Sequence, residues 1–181
     1  MQESCPEAAL RRDESGGLAP AGEGWFIVNV AEAQAMHSER FGDGCRFEGA
    51  TRFPEFGINV RVLPPGKPAC LYHREDCQEA FLVLRGECLA IVEEQERRLR
   101  VGDFLFTPPG TNHVLVGAGP APCVVLMVGT RKADQELHYP VSPAASRHGA
   151  SVERATSSPP EAYGQGGPWP APQATTLGEV L

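Results

Sequence analysis

At 181 residues the chain has room for one ordinary domain with a real core plus some extra segments, and too little for two full domains. Hydrophobic residues make up 41% and charged residues 22%, which is the balance of a globular protein and excludes a wholly disordered chain. A formal net charge of −7, with no stretch that concentrates Lys and Arg, excludes a nucleic-acid backbone binder. The most basic run, "ERRLR" at 96–100, alternates like an exposed strand face.

The six Cys (5, 45, 70, 77, 88 and 123) are scattered, and no two form a Cys-x-x-Cys pair. The start "MQESCPEAALRRDESGG" lacks the basic lead and apolar core of a signal peptide, and no apolar run approaches the roughly 20 residues of a membrane helix. These features lead us to expect reduced thiols in a cytoplasmic protein, with no membrane partner.

In chain order, residues 1–22 are polar and Gly-, Glu- and Ala-rich, the composition of a flexible lead. "GWFIVNV" (24–30) reads as a first strand, and the good helix formers of "AEAQAMHSERF" read as a short helix. From about 45 to 130 short runs rich in Val, Ile, Leu and Phe recur, broken by "PPGKP", "RG", "EEQE", "PPGTN" and "GAGPAP". Such spacing predicts an antiparallel sandwich or barrel. Beyond 130 the strand signal fades. "VSPAASRHGA" (141–150) predicts a short helix with Ser142 as N-cap and Pro143 at its first position. From Thr156 the chain is dominated by Pro, Gly, Ser and Ala, which predicts a tail or a wrapped arm that pins Trp169.

Two hairpins draw the eye. "ACLYH" and "EAFLVL" read as strands joined by a turn at "REDC". Alternation puts Glu79, Phe81 and Val83 on one face, and His73 on the face of Leu71 and Glu75. In "GDFLFTPPGTNHVLVG" (102–117) one strand ends at Thr107, "PPGT" turns, and a second strand carries His113 on the face of Leu115. Each hairpin presents metal-ligating groups beside a turn. Phe81, Phe104, Phe106 and Leu115 read as core, and His37, His138 and His148 as surface or packing residues.

These residues resemble the two motifs of a single-domain cupin of the bacterial cupin-2 type. The second motif, G-x5-P-x-G-x2-H-x3-N, is matched by Gly102, Pro108, Gly110 and His113, with Gly117 in place of the closing Asn. The first, G-x5-H-x-H-x3,4-E-x6-G, is matched at its end by Glu79 and Gly86, with His73 at the first His and Glu75 where the second His stands. The likeness covers roughly residues 55–130. It implies an all-β double-stranded β-helix, or jelly-roll barrel, over 23–135 with its core motifs at 66–117. A lead over 1–22 precedes it, and a short helix and Pro/Gly-rich tail over 136–181 follow.

The resemblance also implies a divalent transition metal (Fe, Mn, Ni or Zn) held by His73, Glu79 and His113 inside one end of the barrel. Either Glu75 completes a two-His, two-carboxylate shell, or it turns away and leaves three ligands with open positions. Glu75 and Tyr72 are the candidate catalytic groups. Gln78 and Cys77 are lesser candidates beside the metal, and Arg61 and Arg85 for a substrate carboxylate. The implied function is a small-molecule metalloenzyme, either dioxygenase-like or an isomerase or lyase. The alternative is a non-catalytic cupin that binds or senses a small molecule or sugar. Strands apolar on both faces ("FLVL", "CVVLMV") further predict a homodimer.

Overall fold

Residues 56–63 and 123–130 pair antiparallel along their whole length, from Phe56 opposite Thr130 to Leu63 opposite Cys123, and the barrel is built outward from this pair. The computed structural model describes residues 5–13, 16–49, 52–164 and 167. Its strands are β1 (Leu10–Arg12), β2 (Leu18–Pro20), β3 (Gln34–Ser38), β4 (Gly42–Arg46), β5 (Phe56–Leu63), β6 (Arg74–Glu75) and β7 (Glu79–Arg85). There follow β8 (Glu87–Val92), β9 (Gln95–Arg100), β10 (Phe104–Thr107), β11 (His113–Gly117), β12 (Cys123–Thr130) and β13 (Leu137–His138). Two short helices, α1 (Pro143–Ser146) and α2 (Pro159–Tyr163), come last.

One sheet has the order β10-β7-β12-β5-β4-β3 and the other the order β11-β8-β9. The segment before β6 extends the second sheet, because Pro68 bridges Val116 and His73 bridges His113. Between the sheets lies the main core, including Leu63, Phe81, Val83, Ala90, Leu115 and Val125. Period-2 alternation therefore sends Phe81 and Val83 inward, and Leu82 and Leu84 outward. This is the jelly-roll arrangement that the motifs implied.

The outer faces are partly covered by the same chain. Ala144, Ala145 and Ala150 pack Tyr72, Ile91, Val114 and Val116 behind the smaller sheet, so β11 is buried on both sides. Helix α1 starts as its sequence predicts: Ser142 Oγ accepts from Ala145 N at 2.9 Å and Pro143 opens the first turn. Val28, Val30 and Phe47 pack against Val60, Val62 and Val124 behind the larger sheet.

Two unexpected residue choices have tertiary causes. At Gly117, a Cβ would lie 2.3 Å from Pro64 O, so the crossing of residues 63–64 admits no side chain and no Asn. The β8–β9 hairpin turns on Glu93 (φ 47°) and Glu94 (φ 64°), a left-handed pair that usually takes Asn or Gly. Tertiary bonds hold it. Glu93 Oε1 accepts from Asn112 N at 2.7 Å, and Glu94 Oε2 accepts from Ala144 N at 3.0 Å. The first of these bonds fixes the residue that leads into His113.

Other expectations are corrected. Residues 24–30 are not a strand, and 34–38 form β3 rather than a helix, because β3 pairs with β4 from Gln34–Arg46 to Ser38–Gly42 and tertiary pairing overrides propensity. Within the expected flexible lead, β1 and β2 make a hairpin. "REDC" is not simply a turn, since Arg74 and Glu75 form β6 against β13. Phe104 (64% exposed) and Phe106 (50%) stand on the outer face of β10 and are not core.

The start of the Pro-rich tail docks. Helix α2 places Tyr163 in edge contact with Phe41 and Tyr139, and its hydroxyl accepts from Leu71 N at 3.0 Å. The pinning of Trp169 falls outside the described residues. We predict that Tyr163→Phe lowers stability by about 1 kcal/mol, and Tyr163→Ala by about 2–3 kcal/mol. Urea unfolding checks both values. Equal losses would mean that the ring packing contributes nothing.

Candidate metal centre

His73 and His113 are direct partners across two antiparallel segments. His113 N donates to His73 O at 2.8 Å, and His73 N donates to His113 O at 3.2 Å. A pair in this register puts both side chains on one sheet face. The ring centroids are accordingly 5.0 Å apart, and both rings point into the barrel. Glu79 opens β7 on the opposing sheet, with its carboxylate Oε2 3.0 Å from His113 Nε2. One ligand-type atom from each of His73, Glu79 and His113 lies within 4.8 Å of the other two, and this is the one such group among the described residues.

Each imidazole is oriented by its far nitrogen. His73 Nδ1 lies 2.8 Å from Leu71 O, and His113 Nδ1 lies 3.0 Å from Thr111 O. A carbonyl only accepts, so Nδ1 carries a proton, and the Nε2 proton that His113 donates to Glu79 is the one a metal would displace to use the Nε2 lone pair. Two neutral Nε2 atoms and one carboxylate are a donor set that fits a divalent transition metal. Burial pushes the Glu79 carboxyl upward, but the His113 hydrogen bond and the His113 and His73 charges outweigh it and hold the group below the usual carboxylate range. Burial pushes His73 downward, yet Cys70, Glu75 and Glu79 together raise it well above the ordinary imidazole value.

Glu75 stands at the rim. Its Oε1 is 3.6 Å from His73 Nε2, while Gln135 Nε2 donates to its other oxygen. It is adjacent to the three-residue group but not a member of it. Tyr72, expected to line the site, does not. Strand alternation that sends His73 inward sends Tyr72 outward, where it is 1% exposed against Ile91, Val114 and Ala145, with its hydroxyl accepting from Glu94 N at 3.2 Å. Burial lifts its phenol to about 12, so it is no base at neutral pH.

Arg61 points inward but is buried and donates to Ala69 O at 2.6 Å, and Arg85 is exposed at the end of β7; neither faces the His–Glu–His group. Cys77 is buried at the turn and Gln78 is exposed. His37, His138 and His148 pair locally with Asp43, Ser157 and Glu96.

Sequence reasoning missed Tyr139 and Cys70. The Tyr139 ring centroid is 5.9 Å from that of His73, and Cys70 Sγ is 3.6 Å from His73 Nδ1. Burial, then Cys70, raise the Tyr139 phenol. No short-range signal announces Tyr139, because the β13–β6 pairing brings it across from the far end of the chain. A cleft of about 230 Å³ opens on the carboxylate side, lined by Glu75, Glu79, Asn59, Met127, Arg131 and Gln135 among others.

Residues 59–129 match the family model described as a cupin domain. No curated protein matches the chain in sequence. Many solved structures match it in fold. A sugar phosphate isomerase from Silicibacter pomeroyi is 22% identical with a TM-score of 0.54, over 61% of this chain and 79% of that one. A predicted oxalate decarboxylase from Thermotoga maritima is 20% identical with a TM-score of 0.53, over 59% of this chain and 99% of that one. A protein of Acidithiobacillus ferrooxidans is 27% identical with a TM-score of 0.44, over 46% of this chain and 55% of that one, so this chain spans about half of that relative's length. The first two likenesses show the fold and do not choose a reaction.

The Nδ1 contacts make a prediction about the metal-free protein. Long-range ¹⁵N–¹H spectra should show a proton on Nδ1 of both imidazoles. An imidazole protonated at Nε2 alone would mean that the carbonyls do not set the tautomer.

Proposed function

Residues 59–129 of this chain form a cupin domain, and from that premise we propose that the protein is a small metal-dependent enzyme acting on a small molecule at the barrel mouth. The observation that carries this reading is the convergence of His73, Glu79 and His113 beside an open cleft. His73 Nε2, His113 Nε2 and a Glu79 oxygen would hold one divalent ion. When bound, such an ion polarises a substrate oxygen as a Lewis acid or, if it is iron, activates dioxygen. Leu71 O and Thr111 O keep the imidazoles in register, and the surrounding Phe81 and Tyr139 rings limit water behind them. Glu75, tethered by Gln135, is placed to accept or return a proton at the rim, or to join the ligands as a fourth.

No helix among the described residues is long and apolar enough to cross a membrane. The same reading assigns a second copy of the chain to the exposed outer face of β7 and β10, where Leu84, Phe104 and Phe106 remain uncovered. Sedimentation equilibrium at micromolar concentration should give twice the chain mass, and a monomer mass would overturn that assignment.

Metal analysis tests the proposal. The protein purified without chelator should carry about one divalent ion per chain, and His113→Ala should lose roughly tenfold or more in affinity while keeping its unfolding midpoint within a few degrees. Glu75→Ala separates the two arrangements: retained metal means three protein ligands, and lost metal means four. A metal-free protein that still binds small molecules through the cleft would instead be a non-catalytic binding module.

Binding also has a pH signature. A proton competes with the metal for Nε2, and the His73 imidazole holds its proton above the ordinary range near 6.5. Affinity should therefore be full in mildly alkaline solution and already falling as pH drops toward 7. Glu79, held below the usual carboxylate range, stays ionised throughout and does not shape this window. A flat affinity between pH 8 and 6 would contradict imidazole ligation.

A further inference from the structure

The inner face of the larger sheet continues away from Glu79 into a second cleft of about 350 Å³ that no motif predicted. Its lining includes Arg46, Arg52 and Arg131, with Glu48 as the one acidic side chain. Glu48 is already committed. It takes two hydrogen bonds from the Arg131 guanidinium, at 2.5 and 2.9 Å, and a third from Phe53 N at 2.7 Å. The guanidiniums of Arg46 and Arg52 have no hydrogen bond or ion pair among the described residues. Burial, followed by the neighbouring charges of Arg52 and Arg131, lowers the pKa of Arg46 despite the opposing pull of Glu48. In a chain of net charge −7, two guanidiniums without an ion pair beside a third that Glu48 neutralises form a local reversal of sign.

This cleft and the one at the metal group share Gly57, Asn59 and Arg131, so they meet. Register shows how. Glu79, Gly129 and Gly57 lie side by side on adjacent strands, and the two glycines put no side chain between Glu79 and Arg131. A Cβ on Gly57 would be 3.0 Å from the Arg131 guanidinium, so the bare backbone there is what admits that plane. One row above, Phe81, Met127, Asn59 and Arg46 are neighbours in turn. Asn59 Oδ1 is buried with no hydrogen-bond partner among the described residues, an orphan polar atom at the junction of the two clefts. Three strand spacings separate Glu79 and Arg46 by about 14 Å across the sheet, and one row by about 7 Å along it. A single small ion cannot touch both ends. A molecule several bonds long can.

We propose that Arg46 and Arg52, with Asn59 between them and the metal group, form a subsite for the carboxylate or phosphate of a small anionic substrate whose far end reaches His73, Glu79 and His113. This rests on the metal-centre reading above for the far end only. Guanidiniums suit both anions because their paired N–H groups match two oxygens at once. Arg131 is a positioning residue: it holds Glu48 and Phe53 O and so shapes the cleft wall.

Calorimetric titration of the full chain at low salt, with inorganic phosphate and with succinate as probes, tests the subsite. The wild type should bind at least one probe, and the stronger of the two assigns the anion class. Arg46→Gln with Arg52→Gln should weaken that probe at least tenfold with metal content and unfolding midpoint unchanged, and Arg52→Glu alone should do nearly as much. His113→Ala should lose metal yet bind the probe within about twofold of wild type. Unchanged probe binding in the double variant would overturn the subsite. So would binding lost in His113→Ala but kept in the arginine variants, since the anion would then sit on the metal. Arginine-dependent binding in a wild type that carries no metal would uphold the subsite and sink the metal reading instead.

Discussion

The backbone pairing of His73 with His113 is the constraint on which the site depends. Two reciprocal hydrogen bonds join a segment that is barely a strand to the first residue of β11, and they fix the two imidazoles on one face in one register. A slip of the His73 segment by one residue would put the two rings on opposite faces, with His73 turned out of the barrel. The pairing is in turn held from outside. Asn112, next to His113, is tied to Glu93 at the tip of the neighbouring hairpin, and Tyr72, next to His73, is packed under Ala144, Ala145 and Ala150. The structural residues beside the histidines thus do the aiming, and the Nε2 atoms are left facing Glu79 and Glu75.

Glu79 is delivered by a different route. It reaches the site from the larger sheet, so its approach to His113 depends on how the two sheets pack and not on any local turn. Phe81 sets that distance, since it follows Glu79 on the inner face of β7 and its ring centroid lies 5.3 Å from that of His113. The same sheet continues past Gly129 and Gly57 to the arginine cleft, so one concave face connects a candidate metal group to a candidate anion group. The clustered arginines would let an acidic chain attract an anion to this cleft, because the field there follows the nearest charges, screened from the rest within about 10 Å at moderate salt.

What was legible in the sequence follows from which information is local. The turn at Pro108–Gly110 and the spacing to His113 are properties of a few consecutive residues, and the Ser142–Pro143 helix start is likewise written in its own cap. Parity was legible too, and could have been pressed further: if His73 faces inward, Tyr72 cannot, and if Thr107 is buried beside Glu79, Phe104 and Phe106 cannot both be core. Residues 34–38 show the limit of propensity, because good helix formers became β3 once β4 offered a partner. Tyr139, Arg46 and Arg131 were out of reach altogether. Their places depend on strand pairings across tens of residues, and nothing in their own neighbourhoods records the partner.

The central claim is that two imidazoles and a carboxylate meet at one divalent ion. X-ray absorption at the edge of the metal bound to the full chain tests it most directly, because imidazole rings give a distinct multiple-scattering pattern and sulfur scatters at a longer distance. The account predicts a shell of nitrogen and oxygen at about 2.0–2.2 Å with two imidazoles and no sulfur. A shell with sulfur at about 2.3 Å, which would point to Cys70, or one without imidazole, would contradict it.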